Sequence, residues 1–411
     1  MKAAIRHMMR NRRRTILTLL AVLIPVYFLV MMFGFVNSMM QDMFESSTRF
    51  DTGHMQIHAE ETRATGSAMP LIRNTEDALA ALASVDGIEW STVRLDLPAL
   101  ASVGDRTRTV YVRGVVPEEI EPVSNMADRV VDGEFLTSSS RGVVVGEELA
   151  ELLELQVGDE MVLLGVHPEA SLGALRVPIL GIFSAPEATT GRTMVLASLG
   201  TARQLARSET AATSIVIRVD GVTGPWDTTL LDRATTALRA ALPLGYEVED
   251  WLELVPFVSG YLRILTPMML IMAIVFFALG ALVVVNTLYL SVMERTREIG
   301  LIISLGASRA RVMGMVLAEA GIITLAGAFY GALVGVGLVL IVEAFGGIPL
   351  WGQMADYMRE VGISPVLHMS IRWTQVLLAA GAMAGVAILA AWLPAWKASK
   401  LEPVEAMRYV E

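Results

Sequence analysis

Four long apolar runs divide this chain of 411 residues, at 15–36, 264–290, 312–342 and 373–393. Each is long enough to cross a bilayer as a helix, and Glu319 is the only charged side chain within them. Ile16 to Val36 extends about 31 Å as a helix, close to the hydrocarbon thickness. The run at 312–342 exceeds a straight crossing and is expected to tilt. The basic cluster Arg10-Asn11-Arg12-Arg13-Arg14 before the first run has the look of a secretory signal. No small-residue cleavage site follows, however, and the run is long, so the first span is expected to be a retained anchor.

Between the first two runs, over 37–260, the period shortens and varies. Ala78, Leu79 and Leu82 predict a helix over Thr75 to Ser84, whereas Val110 to Val116 alternates like a strand closed by Pro117. Val143-Val144-Val145 predicts a strand, Glu147 to Leu155 a helix, and Val157-Gly158-Asp159 a turn. Val177 to Phe183 and Ser214 to Val219 add strands, and Thr228 to Leu242 a helix. This mixture predicts an α+β domain large enough for its own core.

Charge supplies an orientation. A composition of 54% hydrophobic and 18% charged residues fits a membrane protein with a soluble insert, because the charges gather in one central block. Residues 37–260 hold 33 acidic and 16 basic side chains and no lysine. Segment 1–14 holds six basic and no acidic side chains; Arg295, Arg297, Arg309 and Arg311 lie in 291–311, and Lys397, Lys400 and Arg408 in 394–411. By the positive-inside rule these three segments are expected to be cytoplasmic, with 37–260 and the short loop 343–372 outside. The predicted fold class is an α-helical membrane protein with four transmembrane helices and a large α+β extracytoplasmic domain between helices 1 and 2. No cysteine is present, which excludes a disulfide scaffold and thiol chemistry.

Little in the chain points to catalysis. His54 and His58 have the spacing of a helical metal pair, but Met55-Gln56-Ile57 between them alternates like a strand and no third ligand lies nearby. Glu147-Glu148 and Asp159-Glu160 read as solvated surface charge. No phosphate-binding loop, GxSxG elbow or HExxH motif occurs. No catalytic role, bound cofactor, metal or nucleic-acid partner is therefore expected of this chain.

The segment Glu294-Arg295-Thr296-Arg297-Glu298-Ile299-Gly300 is too polar to cross and lies between two spans. Its spacing predicts a short helix on the membrane surface, with Glu294 and Glu298 on one face and Ile299, Leu301, Ile302, Ile303 and Leu305 packing back onto the spans. It reads either as local helix pairing or as a docking element for a soluble partner.

Three motifs resemble those of ATP-driven ABC permeases of the MacB/FtsX/LolCE-like superfamily. They are Arg10 to Thr15 before span one, Glu294 to Gly300 with Leu305-Gly306-Ala307-Ser308 after span two, and Pro394 to Ser399 with Leu401 to Arg408 after span four. The resemblance implies a coupling helix over about 292–306, in which Glu294, Arg295, Arg297 and Glu298 contact or orient a cytoplasmic ATPase dimer. It implies that Gly300 and Gly306 allow close approach or termination. ATP and Mg are then bound by the partner ATPase, beside a second permease subunit, identical or homologous, in an inner membrane. The family mechanism is mechanotransmission, in which ATPase movement reshapes the outer domain. Gly53-His54-Met55-Gln56-Ile57-His58 and Gly142 to Ala150 are similar to lipoprotein-releasing permeases, which implies a lipoprotein cargo and a periplasmic lipoprotein chaperone. Export of small molecules or peptides, and scaffolding of a cell-wall hydrolase, stand as alternatives. Within the spans, Gly327, Gly331 and Gly335, and Gly381 and Gly385, have the small-residue spacing of close helix packing. Glu319 is expected to snorkel or to pair with an arginine.

Overall fold

The computed structural model describes residues 12–60, 70–72, 74–120, 124–165, 173–185, 188–360 and 365–400. The motif residues Arg10 and Asn11 and the tail motif from Leu401 lie outside the described residues. The chain divides into two compact units: a helical one formed by residues up to Met39, Leu262–Ile348 and the chain from Val366, and a sheet-based one formed by Met40–Tyr261 with Pro349–Pro365.

Among the described residues, four helices are long and apolar enough to cross a membrane. They are α1 (Arg12–Ser47), α9 (Pro256–Glu294), α11 (Arg309–Ala344) and α13 (Trp373–Ser399). All four extend past the apolar runs that announce them, because polar turns such as Gln41 to Ser47 continue the helix without continuing its hydrophobicity. In the helical unit, α1 and α11 approach face to face. A Cβ on Gly327 meets the Leu19 carbonyl at 3.0 Å, one on Gly331 the Leu23 carbonyl at 2.6 Å, and one on Gly335 the Val30 Cβ at 2.8 Å. Only glycine admits that backbone approach.

Gly381 and Gly385 are different. A Cβ on either finds no neighbour within 4 Å, so the predicted packing role fails within this chain. Helix α13 instead buries Val376, Ala379, Met383, Ala384, Ala387 and Ala391, an alanine face set apart from those glycines. Gly280 of α9, which has no motif spacing, is the tight position there: its Cβ would meet the Met383 side chain and, at 2.9 Å, the Ala21 carbonyl. Asn37 Nδ2 donates to Gln375 Oε1 at 2.6 Å, tying α1 to α13 by a polar contact.

The sheet unit contains β1 (Met55–Ala59), β2 (Ile88–Val103), β3 (Arg106–Val115), β4 (Val130–Gly133), β5 (Val143–Gly146), β6 (Glu160–Gly165), β7 (Gly173–Phe183), β8 (Met194–Ser198), β9 (Ser214–Val219) and β10 (Tyr246–Asp250). Their order is β10-β1-β9-β2-β3-β8-β5-β7-β4, with β6 bridging β2 and β7. Strand β2 is the spine. Its first half pairs with β9, and its second half forms a hairpin with β3 across the turn at Gly104 and Asp105. The β3–β8 and β5–β7 pairs are parallel, and the other pairs are antiparallel. Inward side chains of β2, β3, β5 to β8 and the helices α4 (Glu147–Leu153) and α6 (Leu199–Ala206) form the main core, including Leu95, Val112, Leu149, Met161 and Leu205. Helices α2 (Thr75–Ala83), α3 (Pro117–Ile120), α5 (Ala188–Thr193), α7 (Thr228–Ala241) and α8 (Trp251–Leu254) fill the connections, and α12 (Gln353–Glu360) lies between α11 and α13 in the chain.

The two histidines go separate ways. His54 stacks on Phe44, and its Nδ1 accepts the Val219 N–H at 3.1 Å, whereas His58 sits in β1 near Arg94. Burial, and then the nearby charge of Arg218 for His54 and of Arg94 for His58, lowers each from 6.5 to about 4. Between those values the unfolded chain binds protons that the folded rings refuse. Stability is therefore fullest above about pH 6.5 and falls as the pH drops toward 4. A loss on the order of 3 kcal/mol per histidine is expected at the acid end of that window. Thermal unfolding of the purified chain in detergent checks this: the midpoint should fall from pH 7 to pH 4.5, with a shallower slope for His58→Gln. A midpoint flat across that window contradicts the assignment.

Candidate functional site

The charged segment after α9 is built as a broken helix. Helix α9 ends at Glu294, Arg295 leaves helical geometry at φ −109° and ψ 14°, and α10 (Thr296–Ser304) begins. The Thr296 hydroxyl donates back to the Met293 carbonyl at 2.8 Å, closing the bend. At the far end Gly306 takes φ +89°, its N–H donates to the Ile303 carbonyl at 3.0 Å, and the Ala307 N–H donates to the Ile302 carbonyl at 3.2 Å. This paired closure satisfies the last carbonyls of α10, and the left-handed residue that it needs is glycine. Ser308 then caps α11, its Oγ accepting the Arg311 N–H at 3.3 Å. Leu305-Gly306-Ala307-Ser308 is thus a stop followed directly by a start.

Arg295 is the centre of the site. Its Nη1 donates to Glu319 Oε2 at 2.9 Å, and its Nε to Glu298 Oε2 at 3.2 Å. The Arg295 side chain is 11% exposed and that of Glu319 7%, against 46% for Glu298. One guanidinium therefore ties the first turn of α10 to a buried carboxylate on α11. Beneath it Val292, Ile299, Val312, Val316, Ala395 and Ala398 form an apolar cluster joining the ends of α9, α11 and α13 to α10. The Lys397 ammonium lies 5.3 Å from the Tyr289 ring centre, a further tie between α13 and α9.

Several expectations change. The bend at Arg295 resets the helical phase, so Glu294 and Glu298 belong to different helices rather than to one face, although both are exposed. Arg295 turns inward and holds the element in place. Leu301 and Leu305, expected to pack back, are 54% and 80% exposed, while Ile299 is buried and Ile302 and Ile303 line the cluster. Arg297, Leu301 and Leu305 follow at four-residue spacing on the exposed side, a mixed stripe of one charge and two large apolar groups. Gly300 is buried, and Gly306 closes the helix. No group of three His, Cys, Asp or Glu able to hold a metal occurs among the described residues.

A set of long apolar helices with a sheet unit inserted after the first, and a charged turn beyond the second, has the architecture of a multi-pass membrane protein. Residues 270–403 match the FtsX-like permease C-terminal family, and residues 15–229 match the MacB-like periplasmic core domain. The chain belongs to the MacB/FtsX/LolCE superfamily of ABC transporter permeases. It is 30% identical over 172 residues to the macrolide export ATP-binding/permease protein MacB of Syntrophobacter fumaroxidans, covering 42% of this chain but 21% of that protein. It is 23% identical over 320 residues to the lipoprotein-releasing system transmembrane protein LolC of Xylella fastidiosa, covering 74% of each. With the ABC transporter permease YknZ of Bacillus subtilis the identity is 30% over 165 residues, covering 40% of this chain and 37% of that one.

Proposed function

We propose that this chain is the non-catalytic permease subunit of an inner-membrane ABC transporter that extracts lipoproteins for transfer toward the outer membrane. A cytoplasmic ATPase dimer binds ATP and Mg and docks on the exposed face of α10, with Glu294, Arg297 and Glu298 at the contact. The observation that carries this reading is the locked element itself. A docking surface must pass on force, and the Arg295 tie to buried Glu319 fixes α10 to α11 while leaving charged and apolar groups on its outer side. A second permease subunit, identical or homologous, completes the transporter, and a periplasmic lipoprotein chaperone receives the cargo. Both chain termini lie in the cytoplasm, in keeping with the lysine and arginine bias of the terminal segments.

The choice of cargo rests on extent of likeness. The LolC relative aligns over 74% of both chains, across helices and sheet unit alike, whereas the MacB match covers 21% of its relative. Reconstitution with the ATPase and an acylated lipoprotein tests the assignment: ATP-dependent transfer to an acceptor is the expected result. An assembled, ATP-hydrolysing complex that releases no lipoprotein would sink the cargo assignment. For docking, the double charge reversal Glu294→Lys with Glu298→Lys is expected to abolish copurification with the ATPase or to lower its stimulated hydrolysis at least about ten-fold, as loss of paired charges at an interface does. Unchanged assembly and stimulation rule those two residues out.

A further inference from the structure

The sheet unit contains an ion cluster at the point where α1 ends, with Arg94, Asp96 and Arg113 buried and Asp51 half-exposed at its edge. After Ser47 the chain makes a single π-helical turn, Thr48–Thr52, before Gly53 turns it into β1 at φ +63°. A Cβ on Gly53 would meet the Ile217 carbonyl at 2.9 Å, so the exit from the turn is fixed sterically. Asp51 in this turn faces β2 and β3. Its carboxylate accepts from Arg113 Nη1, and its backbone carbonyl accepts from Arg94 Nη1. Arg113 also grips Asp96, its register partner across the β2–β3 hairpin, with Nε to Oδ1 at 2.8 Å and Nη2 to Oδ2 at 3.1 Å. Arg94 continues to Gln56 Oε1 on β1 at 3.0 Å, and Gln56 Nε2 returns to the Thr52 carbonyl at 2.9 Å. Four segments therefore meet in one closed network.

The charges in it are held firmly. Burial alone would push the Asp96 carboxyl up, but Arg113 and Arg94 outweigh it and keep that carboxyl below its ordinary range. The opposite side of the same turn is gripped as well. Phe50 inserts among Val115, Ile120, Met126 and Phe183, the Arg49 carbonyl accepts the Asn125 N–H at 2.8 Å, and the Arg129 guanidinium lies 5.6 Å from the Phe50 ring centre.

Buried ion networks add little net stability over apolar packing of the same volume, but removal of one member is costly and their bidentate geometry permits little sliding. A network of this kind suits a position that must be rigid. We infer that Asp51, Arg94, Asp96 and Arg113 form a joint that fixes the end of α1 to the β2–β3 hairpin, with Asp51 as the positioning residue, so that the last turns of α1 and the sheet move as one piece. Helix α1 runs continuously from Arg12 to Ser47, and the joint begins within one turn of its end. The inference rests on the reading of this chain as a force-coupled permease.

The absence of cysteine allows two spin labels to be placed cleanly, at Glu45→Cys on α1 and Thr109→Cys on β3, both exposed positions. Distances are measured by double electron–electron resonance in the full chain reconstituted with the ATPase, nucleotide-free and vanadate-trapped. The joint predicts one narrow distribution, the same in both states, that broadens at least about two-fold in Asp51→Ala and in the isosteric Asp51→Asn as the charged tie from Arg113 to the turn is lost. Asp51→Asn should also keep ATP hydrolysis within about two-fold while ATP-driven cargo release falls about ten-fold, a split that mere loss of folded protein does not produce. A distance that shifts with nucleotide in the parent, or a distribution equally narrow in Asp51→Asn, overturns the joint. Failure of any ATPase to assemble with the chain removes the coupling reading instead, and the width comparison in the chain alone still decides the joint.

Discussion

Replacing Arg295 by alanine is expected to destabilise the helical unit by about 3–5 kcal/mol, the usual cost of removing one partner of a buried ion pair. The substitution strips the buried Glu319 carboxylate of its guanidinium and detaches the first turn of α10 from α11. Glu319→Ala should cost a similar amount, because Arg295 is itself nearly buried. The double variant Arg295→Met with Glu319→Met should recover most of the loss in thermal midpoint, since apolar side chains of like volume suit this apolar surrounding. It should not recover ATPase stimulation, because a thioether in place of the guanidinium no longer fixes Glu298. Thermal unfolding in detergent and stimulated hydrolysis, measured on all three variants, separate stability from coupling. A double variant as unstable as either single change contradicts the ion-pair account.

The second large effect concerns the α1–α11 contact. Gly331→Leu places a branched side chain against the Leu23 carbonyl and the Val26 Cβ, which a Cβ alone would approach to 2.6 and 3.0 Å. Backbone cannot yield as a flexible side chain does, so a cost at or above the upper end of about 1–3 kcal/mol for overpacking is expected, with loss of folded yield. Gly381→Leu, with nothing within 4 Å of its Cβ, should leave the thermal midpoint nearly unchanged. Equal behaviour of the two variants in thermal unfolding would show that α1 and α11 do not pack through this glycine face.

The contrast between those glycines shows what the sequence carries and what it leaves out. Small-residue spacing identifies a surface that allows close packing, but not which surface is covered. Helix α13 offers a glycine pair on one side and an alanine series on another, and the alanine side is buried. Gly280 stands alone in an apolar run and has no spacing signal, yet it makes one of the tightest approaches in the bundle. The long helices were legible because apolar length is a strong signal. Strand β2 was not, although it is the longest strand and the spine of the sheet. Arg94 and Asp96 occupy buried positions in it and Pro98 interrupts it, so its pattern of apolar residues is broken where the ion cluster sits. The same cause hid the cluster: its members are distant in sequence, and only the β2–β3 register and the turn after α1 bring them together.

The coupling segment was legible as a polar interruption between spans with a glycine stop. Its orientation was not. Four-residue spacing assumes one continuous helix, and the bend at Arg295 breaks that assumption, turning Arg295 inward and Leu301 and Leu305 outward.

The docking role of α10 is tested most directly by crosslinking from single cysteines in this cysteine-free chain. A cysteine at Arg297 or Leu301, carrying a short photoreactive group, is predicted to crosslink to the ATPase in the assembled, ATP-hydrolysing complex, while one at the exposed Thr109 of β3 is not. Crosslinking absent from 297 and 301 in a complex that hydrolyses ATP would contradict the account.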